Sequence, residues 1–166
     1  MYSIEVVEVE EKKIVGPVLH TSFVANRQAE EVPLFFHKTM EQGDLEKVPN
    51  RVDANQICAF VKPETSPQFD YYMAVEVRGF DNIPDGMSCL TIPACRCATT
   101  SFVKRGNKDV MMAMQHLLNE WIPANAGRPD FSLPAFIVYD ERFLPIFRTQ
   151  GYDGNPVAQL FIPVIG

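Results

Sequence analysis

Thr21-Ser22-Phe23-Val24 recurs as Thr100-Ser101-Phe102-Val103, and this recurrence decides how the rest of the chain is parsed. Each copy is followed by a polar stretch, then by an acidic residue and a valine, Glu31-Val32 and Asp109-Val110. A segment with helical spacing comes next in both places. In the first, Val32, Phe35, Phe36 and Met40 fall at i, i+3, i+4 and i+8. Glu30 and Glu31 suit the positive N-terminal end, Pro33 is tolerable only in an early turn, and Gly43 is placed to end the helix. In the second, Val110, Met114, Leu117, Leu118 and Trp121 make the apolar stripe, with Asn107 as the expected cap and Pro123 expected just past the end. A strand follows each helix, Ala59-Phe60-Val61 and Ala135-Phe136-Ile137, and a last strand closes each half, Tyr72 to Val77 and Leu160 to Val164.

The expected fold class is therefore α+β: duplicated β-α-β-β units with pseudo-twofold symmetry, an antiparallel sheet with helices on one face and a ligand groove on the other. Residues 1–166 form one domain in this reading, with 1–83 and 84–166 as its two repeats. Alternation along the strands assigns side chains to faces. Met73, Val75 and Val77 pack under the helices, sending Tyr72, Ala74 and Glu76 to the groove; Leu160, Ile162 and Val164 do the same, sending Gln159 and Phe161 outward. On the remaining strand, Phe136 and Val138 are assigned to the core, which leaves Ile137, Tyr139 and Glu141 on the groove side. Phe23 and Phe102 are assigned to core or groove floor. Trp121, the one tryptophan, is weighed between core and ligand wall, and Met111, Met112 and Met114 are assigned to packing.

Composition bounds the function. Hydrophobic residues make up 46% of the 166, enough for a core, and no apolar stretch approaches the roughly 20 residues of a membrane span. The net charge is −6, with 14 acidic and 8 basic side chains in residues 1–83 against 7 of each in 84–166. Direct nucleic-acid binding is disfavoured by that balance, whereas a cationic ligand or a basic protein partner is allowed. Cys58, Cys89, Cys95 and Cys97, in a chain of this size with no export signal, are expected to be buried thiols in a cytoplasmic protein. Cys95 and Cys97 would share a strand face, but neither they nor the scattered His20, His37 and His116 complete a metal site. The segment Gly151-Tyr152-Asp153-Gly154-Asn155-Pro156 is a turn-rich loop without a phosphate-binding glycine pattern, so no cofactor is expected.

Several runs, taken in order, resemble the GyrI-like family: Leu90-Thr91-Ile92-Pro93-Ala94, Leu117-Leu118-Asn119-Glu120-Trp121-Ile122, Phe136-Ile137-Val138-Tyr139-Asp140-Glu141-Arg142-Phe143, and Phe161-Ile162-Pro163-Val164. The resemblance spans most of residues 2–165. It implies the ligand-binding fold shared by effector-binding domains of AraC- and MerR-type transcription regulators and by stand-alone gyrase-inhibitor-like proteins. An aromatic pocket for lipophilic cations or drug-like compounds goes with it. Many such proteins carry a ligand-contacting glutamate where this chain has Ile137, and Gln159 also stands at a place that is often glutamate. With Glu76 or Glu141 as the only substitutes, the ligand's charge stays open between cationic and neutral.

The expected function is small-molecule binding as a sensor, sequestering agent or regulatory module. The candidate ligand contacts are Tyr72, Glu76, Trp121, Ile137, Tyr139, Glu141 and Phe161, with no catalytic residue assigned. No helix-turn-helix segment is found, so an operator would be reached through a partner regulator. Two alternatives are a hydrolase of strained rings using Glu76 beside Tyr139 as general base, and an acidic module that engages a partner such as gyrase.

Overall fold

The computed structural model describes residues 2–63, 65–144 and 155–166; positions 151–154 of the turn-rich loop lie outside them. The strands are β1 (Ile4–Val9), β2 (Lys12–Gly16), β3 (Val18–Ser22), β4 (Gln56–Val61), β5 (Gln68–Val77), β6 (Ser88–Ile92), β7 (Cys95–Val103), β8 (Arg128–Pro129), β9 (Ala135–Tyr139) and β10 (Val157–Ile165). They join in the order β1-β7-β10-β9-β4-β5-β2-β6, with β3 on β5 and β8 on β10. Every pairing is antiparallel. With the helices this is the α+β architecture expected, although the chain lays down β1, β2 and β3 before its first helix. Each tetrapeptide copy falls where a strand gives way to a helical stretch, the first at the end of β3 and the second at the end of β7.

Connectivity forces the sheet to curl. Laid flat at about 4.8 Å per strand, β1 and β2 would stand roughly 29 Å apart. Only Glu10 and Glu11 link Val9 to Lys12, a reach of about 11 Å. Pro93 and Ala94 impose the same constraint between β6 and β7. The sheet therefore bends until its two ends approach, and the inside of the bend fills with side chains. Ile14, Ile57, Ala59, Ala74, Ile92, Cys97 and Phe136 are all 2% exposed or less there. Gly16 is needed at the bend because a Cβ on it would sit 1.8 Å from the Met73 carbonyl oxygen.

Both helical runs cover the other face. Helix α1 (Gln28–Gln42) ends at Gly43, whose φ of 65° is the left-handed conformation that glycine adopts at least cost. The second run starts one residue earlier than expected: Gly106 is the cap, and the Asp109 carboxylate accepts hydrogen bonds from the Arg105 and Gly106 backbone N–H groups at 2.8 and 3.1 Å. It also continues through Pro123. Helix α2 (Asn107–His116) passes into a π turn at Leu117–Trp121, where the Ile122 N–H reaches back to the Leu117 carbonyl, and then into α3 (Ile122–Asn125). Proline removes one helical donor and crowds the carbonyl four residues back, and the wider turn just before it accommodates both effects.

The face assignments hold for Met73 on β5 and along β10 and reverse on β9, while Val75 and Val77 pack with Val15, Leu45 and Val48 in a separate cluster rather than under α1 and α2. Cα partners in an antiparallel sheet share a face, and Ile137 is paired with Cys58 and Leu160, which belong to the helix-side core. Ile137 and Tyr139 thus face the helices, while Phe136 and Val138 face the inside of the bend with Phe161. The run Phe136-Ile137-Val138-Tyr139 is apolar on both faces, so alternation alone has no phase to fix. Of the thiols, Cys58 and Cys97 are buried but Cys89 is exposed; the Cys95 and Cys97 sulfurs do share a face, 3.6 Å apart.

Candidate functional site

Two adjoining cavities open between α1 and α2, on the helix-covered side of the sheet rather than on the opposite side where the groove was expected. The centre of the bend is filled by Ile14, Ile57, Ala59, Ala74 and Phe136, and a further cavity of about 420 Å³ lies beside it, lined by Val61, Leu90 and Pro93. The outer cleft, about 270 Å³, has Phe60, Phe69 and Ala135 of the sheet beneath it, with Val32 on one side and Val110, Met114 and Leu118 on the other. Phe23, 41% exposed, stacks on Phe69 with ring centroids 4.8 Å apart and forms part of its rim. Its counterpart Phe102 is buried in the core. An inner cavity of about 140 Å³ shares Val32, Phe60, Asn107 and Val110 with the cleft and extends to Phe36, Lys104, Ile137 and Tyr139. The two valines that follow the acidic residues of the repeat thus flank both spaces.

Lys104 is the unexpected member. Along β7, Ala98 and Phe102 point to the helix-side core, and two residues further on Lys104 keeps the same direction. It is only 5% exposed. Its ammonium donates to the Tyr139 hydroxyl at 3.0 Å and sits 3.7 Å from the centroid of the Phe36 ring, 4.9 Å from that of Tyr139 and 5.6 Å from that of Phe143. Ring faces attract a cation at about 0.5–2 kcal/mol per good contact. Burial nevertheless wins, pushing the amine down to about 8, against smaller opposing effects from Cys58 and Asp109. Burial also pushes the Cys58 thiol up to about 11. Among the described residues, no carboxylate forms an ion pair with Lys104. Among the described residues, the charged side chains lining the two cavities are Lys104, Lys62 and Asp130. Asp130 accepts from the Ser132 N–H at 3.0 Å. Gln28, on the wall of the outer cleft, holds a buried side-chain oxygen with no hydrogen-bond partner among the described residues.

The candidate contacts therefore divide. Ile137 and Tyr139 meet at the inner cavity. Tyr72 and Phe161 lie on the other face of the sheet, Phe161 stacked on Phe136 with centroids 4.8 Å apart. Glu76 is on that face too, bound to Lys12 at 3.4 Å. The proposed pair of Glu76 with Tyr139 is thus split by the sheet. Glu141 is exposed in the turn after β9, and Trp121 packs against the helix-side core without lining either cavity. Met111 and Met114, assigned to packing, stand on the cleft wall, whereas Met112 is 51% exposed. Lys104 left one trace in the sequence: the first tetrapeptide is followed by Ala25 and the second by Lys104.

Among the described residues there is no group of three or more side chains suited to a metal ion, and no helix long and apolar enough to cross a membrane. The Cass2 family model, described as integron-associated effector binding protein, matches residues 5–164. No curated protein sequence matches the chain. Among solved structures, SAV2435 bound to tetraphenylphosphonium superposes with a TM-score of 0.75 at 14% identity, covering 100% of this chain and 94% of that one. An integron cassette protein from the mobile metagenome of Vibrio cholerae gives 0.66 at 11% identity, covering 99% and 97%. The C-terminal domain of EcmrR gives 0.66 at 11%, covering 99% and 98%. At such identities the likeness is one of fold.

Proposed function

The chain belongs to the integron-associated effector binding protein family, the kind of effector-binding domain its residue pattern resembles, and on that premise we propose that it binds a small apolar molecule in the cleft between α1 and α2. The observation that carries this reading is the cleft itself, bounded by aromatic and aliphatic side chains from both helices and the sheet. Burying apolar ligand surface contributes about 25 cal/mol per Å², so a two-ring compound losing roughly 250 Å² gains about 6 kcal/mol before ordering costs. Methionines on the wall suit ligands of more than one shape, because an unbranched thioether adjusts its rotamers.

A fold neighbour holds tetraphenylphosphonium and another is the C-terminal domain of EcmrR, which supports a role as sensor, sequestering agent or effector module in regulation. With a net charge of −6, the chain would act on transcription through a partner regulator rather than by holding DNA itself. The neighbour's cationic ligand does not carry over to this chain, since the buried charge here is an ammonium.

A fluorescence titration with the neutral probe N-phenyl-1-naphthylamine tests the reading. Saturable one-site binding is expected, weakened about tenfold or more by Met114→Trp, which fills the cleft. Binding that does not saturate, or that ignores the added indole, overturns it.

A further inference from the structure

We propose that Lys104 is a built-in cation which recognises the acidic group of the ligand, so that the cleft accepts a small apolar carboxylic acid with its carboxylate at the inner end and its rings between α1 and α2. This inference deepens the cleft reading and rests on it. Three observations carry it. First, a cage of Phe36, Tyr139 and Phe143 around a positive charge is an arrangement that would hold a ligand's ammonium or phosphonium, but here the protein's own ammonium occupies it, at 3.7 Å from the Phe36 centroid. A second cation in the inner cavity would meet like charge at low dielectric. Second, Lys104 is 5% exposed and its ammonium's one hydrogen-bond acceptor among the described residues is a neutral phenol, Tyr139. A buried charge without a counter-ion is costly, and a charge-assisted bond to a carboxylate would remove the cost. Third, the same cavity is lined by Gly106 and Asn107, the positive end of α2.

The groups facing Lys104 from other elements are Cys58 on β4, Tyr71 on β5, Tyr139 on β9, His37 on α1 and Asp109 on α2. The Cys58 thiol is pushed up to about 11, and Asp109 is engaged with backbone N–H groups. None offers a carboxylate to the ammonium at contact distance.

Calorimetric titration with 1-naphthoate, 1-naphthamide and 1-naphthylmethylammonium, matched in shape, tests the proposal on the whole chain. At about pH 7 the acid should bind roughly tenfold or more tighter than the amide, and the ammonium most weakly. Lys104→Met should abolish the acid's advantage while keeping the amide's affinity within about threefold. Raising the pH from about 7 to about 9.5 should weaken the acid about tenfold and leave the amide unchanged, a readout that needs no variant; His37→Gln should keep that profile. Should the acid bind no tighter than the amide, or its affinity be flat with pH, the inference about Lys104 falls and the cleft reading stands. If none of the three binds, both fall.

Discussion

The two faces of the sheet carry similar inventories and opposite outcomes. On the inside of the bend, Phe136 and Phe161 stack beside Tyr72, with Glu76 held by Lys12 at 3.4 Å. On the helix side, Phe36, Tyr139 and Phe143 surround Lys104, an ammonium without an ion pair among the described residues. Both faces bring aromatic rings to one charged group, yet the centre of the bend is filled while the helix side encloses space between α1 and α2. What separates them is closure. The two-residue links force strand against strand on the inside, whereas α1 and α2, each anchored by its own stripe, leave a gap where the sheet between them is covered by neither. Residue type says what a surface could bind; free volume says whether anything fits.

The difference can be broken most forcefully at Phe136. Truncation to alanine should lower unfolding free energy by about 3–5 kcal/mol in urea titrations, because a ring with no exposed surface leaves a cavity in the filled face. Phe131→Ala at the cleft, where the ring is 44% exposed, should change it by only about 0.5 kcal/mol. Equal costs would mean that the two faces are not packed differently.

Lys104→Met is next. An amine lowered to about 8 from an ordinary 10.5 binds fewer protons in the folded than in the unfolded chain between those values. Stability should therefore rise with pH across that window and be smallest below it. The charged amine costs up to about 3 kcal/mol at about pH 7, so the methionine variant should melt at higher temperature there and lose the rise between about pH 8 and about pH 10. A wild-type protein whose thermal stability is level over that range would contradict the buried charge. The emptied ring cage should also accept 1-naphthylmethylammonium more tightly than before.

Smaller effects sharpen the contrast. Met114→Ala, at a half-buried position on the cleft wall, should cost about 1 kcal/mol of stability while altering N-phenyl-1-naphthylamine affinity severalfold, as fluorescence titration would report. Glu76→Gln should cost under about 1 kcal/mol and leave dye affinity unchanged, since the carboxylate and its Lys12 partner lie across the sheet from the cleft. A marked loss of binding in the glutamine variant would return Glu76 to the site.

Sequence periodicity made much of this fold legible. The stripes Val32-Phe36 and Val110-Leu117 place both helices, and Gly43 ends the first where its φ of 65° requires a residue of that kind. Alternation along Met73-Val75 and Leu160-Ile162 gives the faces of β5 and β10, because each strand has a polar residue, Glu76 or Gln159, to set the phase. On β9 no such residue exists, and the phase came only from hydrogen-bonded partners, Cys58 and Leu160. Tyr139 lines the inner cavity, on the other side of the sheet from the Tyr72, Glu76 and Phe161 it was expected to join.

What the sequence determined by itself is therefore the two helices and the strands that follow each of them, since backbone periodicity and turn chemistry are local and survive in one dimension. Tertiary structure alone decided where the space is and which charge reaches it. Lys104 is four residues past Thr100 in the chain and 35 short of Tyr139, whose hydroxyl its ammonium meets at 3.0 Å. A contact of that sequence separation depends on strand order, register and the curl of the sheet together, and none of these is written in the spacing of a single segment.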